Sequence, residues 1–232
     1  MLFHSPPGAV GVDGEALTAV VRNAAADSLK RGMSFVQSLP EAQDSQSVGV
    51  LRAAGFERIA RLSTMRLDLS RHAATPEGHD LGWRNHTCFS ERELGDVISR
   101  TYEGSLDCPR LTGLRRMSDV IASHKAGGVF RPEAWWIADR QGRPAGCVLV
   151  NDDAAGPGAE LVYVGVVPEH RGSGIGDALL RRAITQAKQR GQRVITLAVD
   201  ASNRFAVALY EARGFEQTHS REAYMTLPET QV

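Results

Sequence analysis

Apolar positions recur along this chain at two spacings, one helical and one alternating or continuous. Within residues 175–190, Leu180, Ala183, Ile184 and Ala187 fall at i, i+3, i+4 and i+7, with Arg181, Lys188 and Arg190 on other faces. That spacing predicts an amphipathic helix, closed by Gly191. Ser90, with Glu93 three residues on, forms a capping box that opens a helix to about Tyr102, and a second helix is expected over 114–125. Asn203 caps a shorter helix through Arg213 that ends at Gly214. Strands are expected in LGWRNHTC, in the two β-rich runs of WWIADRQGRPAGCVLVND, and in VITLAV, with a last one through Tyr224 and Leu227. Gln141, Gly142 and Arg143 between the two runs mark a hairpin. ELVYVGVV is almost continuously apolar, as a strand buried on both faces requires, and Pro168 stops it.

The same layout occurs twice. LRAAGFERIA echoes LYEARGFEQT, and both Gly55-Phe56 with Gly214-Phe215 and Gly32 with Gly191 are 159 residues apart, without a gap. Residues 1–70 therefore read as a degenerate half-copy, residues 71–80, rich in polar residues with Pro76 and Gly78, as a linker, and residues 81–232 as a complete domain. The half-copy lacks the first strands of such a domain, so burial against the C-terminal part is expected to cover its sheet edge in a pseudo-symmetric packing.

Composition narrows the function. Among 232 residues, 27 basic and 27 acidic side chains cancel, which gives no field for a phosphate backbone and disfavours nucleic acid as a partner. Cys88, Cys108 and Cys147 are odd in number and widely spaced, and the seven histidines form no ligand pair, so no metal site is indicated and reduced thiols are expected. No apolar run approaches a membrane span, so the expected location is cytoplasmic, with no membrane partner.

The chemistry concentrates in Arg171-Gly172-Ser173-Gly174-Ile175-Gly176, which follows a buried strand and opens an amphipathic helix. Glycines permit positive φ and close approach, so successive amides and the helix N-terminus can converge on an anion, and Arg171 adds positive charge. A P-loop needs lysine after its second glycine, and a dinucleotide fingerprint needs G-x-G-x-x-G; Asp177 stands in both places. The arrangement is R-x-x-G-x-G.

With ELVYVGVVPEHRG before it, and Asn203, Ala206, Leu209-Tyr210 and Gly214-Phe215-Glu216 after it, this motif resembles the GNAT superfamily of acetyl-CoA-dependent N-acetyltransferases over residues 81–227. The resemblance implies a mixed α/β (α+β) fold, a mostly antiparallel central sheet flanked by helices, here preceded by a partial GNAT-like repeat. It implies that the amides of Arg171, Gly172, Ser173, Gly174, Ile175 and Gly176 hold the pyrophosphate of coenzyme A, while the backbone of Val166 and Val167 pairs with the pantetheine arm. Asn203 would contact that arm, cap its helix, or do both. Tyr210 would be the proton donor to the leaving thiolate, the alternative being a core tyrosine. A backbone N–H near Val166 or Val167 would meet the oxyanion, with a strand bulge expected at Gly165, and Glu160 would act as base, directly or through water.

The acceptor pocket is expected around TYEGSLDCPRL, with Glu103 and Asp107 attracting a cationic amine and Tyr102 and either Trp135 or Trp136 as apolar walls. In the N-terminal copy the matching positions are Val12 for Arg171, Glu15 for Gly174, Leu17 for Gly176, Asp44 for Asn203 and Leu51 for Tyr210, so that copy is expected to be structural. The resulting expectation is transfer of an acetyl group from acetyl-CoA to a primary amine of a small molecule or peptide by direct attack in a ternary complex, in a monomer or homodimer. A catalytically silent acyl-CoA-binding sensor or scaffold is the alternative.

Overall fold

The computed structural model describes residues 13–71 and 81–228; apart from Arg71, the expected linker lies outside the described residues. In chain order the elements are α1 (Gly14–Lys30), β1 (Val36–Ser38), α2 (Ser45–Ala53), β2 (Glu57–Asp68), β3 (Gly82–Asn85), α3 (Glu91–Tyr102), α4 (Met117–Ala126), β4 (Trp135–Arg140), β5 (Arg143–Asp152), β6 (Gly158–Val166), α5 (Ile175–Gln189), β7 (Val194–Asp200), α6 (Arg204–Ala212) and β8 (Glu216–Thr226). The strands form one sheet in the order β1-β8-β2-β7-β6-β5-β4-β3. Every pairing is antiparallel except β6 with β7. This is the expected fold class: a mixed α/β sheet, mostly antiparallel and flanked by helices.

Local signals place the helices. Ser90 Oγ accepts from the Glu93 amide at 3.2 Å, and Asn203 and Asp44 cap α6 and α2 in the same manner. The β4–β5 turn has Gln141 and Gly142 both at positive φ, 52° and 74°, as a two-residue hairpin requires. The second predicted helix begins three residues later than expected, at Met117, because Arg116 makes no side-chain cap and Pro109–Leu111 forms a separate 3-10 turn.

α5 and α6 cover one face of the sheet, packing Leu179, Leu180, Ala183, Ile184 and Tyr210 on Met65, Leu161, Ile195 and Leu197. α3 and α4 cover the other face through Leu94, Ile98 and Ile121 on Trp135, Ile137, Cys147 and Leu149. A separate core of Val21, Ala25, Leu51, Phe56 and Tyr224 lies under α1 and α2.

The 159-residue offset reappears in the register. Val36 pairs with Thr226, and the positions 159 later and 159 earlier, Ile195 and Leu67, pair with each other. Glu57 pairs with Met225, and correspondingly Arg66 with Glu216. Leu62 pairs with Arg221, its own counterpart, so a local two-fold axis passes through that pair. β2 lies between β7 and β8, and β8 between β2 and β1: each segment's last strand is seated against the other segment.

Among the described residues no helix is long and apolar enough to cross a membrane.

Candidate active site

The parallel pairing of β6 and β7 covers only Gly158–Glu160 against Val194–Thr196, and beyond Glu160 the two strands have no ladder between them. A gap therefore opens toward their C-terminal ends, and most candidate groups border it. The Val167 amide donates to Ala145 O on β5 at 3.0 Å. Antiparallel alternation then turns the N–H and C=O of Val166, and of Val164 two residues earlier, away from β5 and into the gap.

Val167 falls out of the expected pair for a simple reason: its amide is spent in the β5 ladder and its side chain is fully buried. Val164 is the other residue whose backbone groups face the gap. The period-two rule applied to Val166 would have found it, had the paired edge of the strand been known.

The expected bulge is also displaced. The β5–β6 register shifts between Leu149 and Val150, leaving Val162 as the extra residue, not Gly165. Gly165 is needed for close packing instead: a Cβ there would lie 2.7 Å from Thr101 Cβ and 2.8 Å from the Tyr163 hydroxyl.

At the mouth of the gap, Gly172 and Gly174 have φ of 73° and 85°, and α5 begins at Ile175 with Gly174 as its N-cap. The site where a Gly172 side chain would stand is open, with no atom within 4 Å. These features fit a phosphate group held by loop amides and a helix N-terminus. Ser173 Oγ donates to His170 O at 2.6 Å and the Ile175 side chain is buried, while the Arg171 amide, expected to face the phosphate, donates to Pro168 O at 3.2 Å instead. Gly176 brings α5 close to α6, since a Cβ there would be 3.4 Å from Leu209 Cδ2.

The Arg171 guanidinium does not project as a free charge over the loop. Nε donates to Val166 O at 3.2 Å and Nη2 to Thr101 O at 3.0 Å.

Tyr210 lies in the core beneath α6, 5% exposed, with its ring 5.7 Å from that of Phe215. Burial, reinforced by nearby Asp107, pushes its phenol well above the usual value. No hydrogen bond to its hydroxyl occurs among the described residues. Asn203 is the N-cap of the same helix, its Oδ1 accepting from the Ala206 amide at 3.3 Å.

Glu160 is the last β6 residue paired to β7, so it stands at the root of the gap, on the sheet face opposite α5 because Ala159 and Leu161 on either side join the α5 core. Its carboxyl is raised, first by the surrounding protein and then by Asp153.

The loop after α3 is drawn onto the end of β7. Asp107 Oδ1 accepts from the Asp200 amide, and Asp200 Oδ2 from the Cys108 amide, both at 3.2 Å. Much of the Asp107 side chain faces solvent, yet enough protein surrounds it to raise its carboxyl, and Asp200 adds to the effect. Glu103 is the exposed C-cap of α3, and the Tyr102 ring meets Tyr163 edge-on at 5.9 Å with its phenol pushed up to about 12 by burial.

Arg171 thus reaches Val166 O on one wall of the gap, Asp107 is bonded to the end of β7, Tyr210 lies in the core within electrostatic reach of Asp107, and Glu160 stands at the root. The tryptophans belong elsewhere. Trp135 is fully buried and donates to Asn151 Oδ1 at 2.9 Å, while Trp136 stacks under Arg182, 3.9 Å from ring centre to guanidinium. Among the described residues no group of three or more metal-ligating side chains occurs.

The mycothiol acetyltransferase of Thermobifida fusca is 41% identical over 205 residues, 76% of this chain and 60% of that protein. The [ribosomal protein bS18]-alanine N-acetyltransferase of Escherichia coli K12 is 39% identical over 66 residues, 28% of this chain and 45% of that protein. The chain spans 60% or less of the length of these relatives. In fold, it is similar to a GCN5-related N-acetyltransferase from Sphaerobacter thermophilus, with a TM-score of 0.63 at 21% identity over 85% of this chain and 61% of that one. Residues 100–215, from the end of α3 to the start of β8, match the acetyltransferase (GNAT) family, and the chain belongs to it.

Proposed function

We propose that this chain transfers an acetyl group from acetyl-CoA to a primary amine, by direct attack while both substrates are bound. The observation that carries the reading is the gap between β6 and β7, with outward-facing backbone of Val164 and Val166 on one wall and the Gly172–Gly176 loop at the mouth. Acetyl-CoA supplies an activated thioester. The chain's own groups do the rest. Val164 and Val166 offer strand-like hydrogen bonds to an extended arm, and one of their amides is the donor best placed for a developing oxyanion. Tyr210 is the donor to the departing thiolate; burial makes its phenol a weaker acid than a free tyrosine, so the proton passes only as full negative charge reaches the sulfur, and water restores it to the phenolate. Glu160 takes the proton of the attacking amine; four residues, about 13 Å of strand, separate it from Val164, so that proton passes through water.

Asp107 and Glu103 line the acceptor side and favour a cationic amine before it is deprotonated. The relatives are named for one small molecule, mycothiol, and for an alanine of one ribosomal protein, which supports an acceptor in either class. We read residues 1–70 as a degenerate copy of the catalytic unit, supported by the 159-residue relation of the strand register, with a structural role.

Calorimetric titration with acetyl-CoA, followed by a free-thiol assay against polyamines, amino acids and peptides, tests the reading. Binding with amine-dependent thiol release is expected. Binding without release across the panel points to an acyl-CoA-binding scaffold, and absence of binding overturns the donor site.

A further inference from the structure

We propose that Arg171 is a positioning residue that couples the donor site to the acceptor loop, so that bound acetyl-CoA loosens residues 103–113. The inference rests on the donor-site reading above.

The last turn of α3 is tied to the donor strand and loop at three points. Arg171 Nη2 donates to Thr101 O, Arg100 forms an ion pair with Glu169, and Thr101 packs into the space left by the missing side chain of Gly165. Gly104, at the start of the acceptor loop, leaves room for Arg171 Nη1: a Cβ there would be 3.4 Å from it. Thr101 O is among the final carbonyls of a helix, which have no donor within the helix itself, so the guanidinium serves as its cap. The acceptor loop begins two residues later.

The other end of the same guanidinium holds Val166 O, which faces the gap. A pantetheine arm pairing with Val166 approaches that carbonyl from the gap, where Arg171 Nε already lies 3.2 Å away; the oxygen can accept twice, so donor and Arg171 contest the space in front of it. Guanidinium is a rigid planar fork, and its two bonds here go to carbonyls on different elements. Turning it away from Val166 O also withdraws Nη2 from Thr101 O. The α3 terminus then loses its cap, and the loop rooted on it is released. The donor thus discriminates between two arrangements of Arg171, which is the differential interaction that a coupled site needs.

Hydrogen exchange on the full chain, with and without acetyl-CoA, tests this without knowledge of the acceptor. In the wild type, acetyl-CoA should slow exchange at residues 172–176 and speed it about tenfold at 103–106, the scale of losing one charge-assisted hydrogen bond. In Arg171→Ala the 103–106 amides should exchange fast before ligand is added, while acetyl-CoA still slows 172–176 and changes 103–106 no further. Arg171→Lys, which keeps the charge but not the fork, should behave as Arg171→Ala does and serves if the alanine variant folds poorly. Arg100→Met, which weakens the α3 terminus but leaves the carbonyl cap, should keep the wild-type response.

Unchanged 103–106 exchange in wild type that protects 172–176 would overturn the coupling, as would a wild-type response in Arg171→Ala. Absence of protection at 172–176 in the wild type overturns the donor-site reading itself, and the coupling with it.

Discussion

The surroundings of Tyr210 and Glu160, the proposed acid and base, move both groups the same way on the pH scale. Burial and Asp107 keep the Tyr210 phenol protonated far above neutral pH, which makes it available as a donor but a weaker acid than a free tyrosine. Replacing Tyr210 with Phe should lower kcat by about 100-fold or more and change acetyl-CoA affinity less than about twofold, as read by steady-state kinetics and calorimetry. Glu160 must be ionised to accept a proton, and its carboxyl is raised by burial and Asp153. The acidic limb of kcat/KM should therefore lie above the ordinary glutamate value of about 4.3, with activity rising as pH passes through it. In Glu160→Gln that limb should vanish from the pH–rate profile; its persistence would assign it to another group. At this scale the sequence was informative where spacing along one helix sufficed, as for Asn203 and Tyr210. It was silent on Val164 and Val167, because which edge of a strand carries free amides depends on the partner strand.

Among the elements, the donor loop depends on backbone conformations that only glycine adopts at low cost. Gly174 has φ of 85° and is the N-cap of α5, so Gly174→Ala places a Cβ in the left-handed region at a cost of about 1–2 kcal/mol. The expected result is roughly tenfold weaker acetyl-CoA binding by calorimetry with a small drop in Tm. The loop, the α5 periodicity and the Ser90 and Asn203 caps were legible because each is written within about a dozen consecutive residues. The α4 start was not, since Arg116 offers no capping side chain. The tryptophan walls were misjudged for another reason. Neighbours in a strand face opposite sides of the sheet, so Trp135 joins the α3 core and Trp136 the α5 core.

On the scale of the molecule, β2 supplies the partner of both β7 and β8. Glu222 of β8, 8% exposed in its side chain, is bonded by Arg58 and Arg61 of β2; burial works against its charge, but the two arginines hold its carboxyl below the usual range. Removing residues 1–70 would take away β1 and β2 and open both edges of β8 and one edge of β7. Chain 71–232 should accordingly aggregate in size-exclusion chromatography with light scattering. A monomeric remnant with unchanged Tm would show that the first segment is dispensable.

The sequence by itself determined what short-range physics controls: the helices from their periodicity and caps, the hairpin from Gln141-Gly142, the glycine loop from its place between strand and helix, and the 159-residue relation from aligned Gly-Phe pairs. Tertiary structure alone decided that each related segment would seat its last strand against the other. β2 and β8 have similar patterns, and a strand's alternation specifies which face is buried, not which neighbour fills its hydrogen-bonding edge. That choice follows from pairing across some 150 residues of chain. From it come the two-fold register at Leu62 and Arg221 and a sheet in which β2 of the N-terminal segment is seated between β7 and β8.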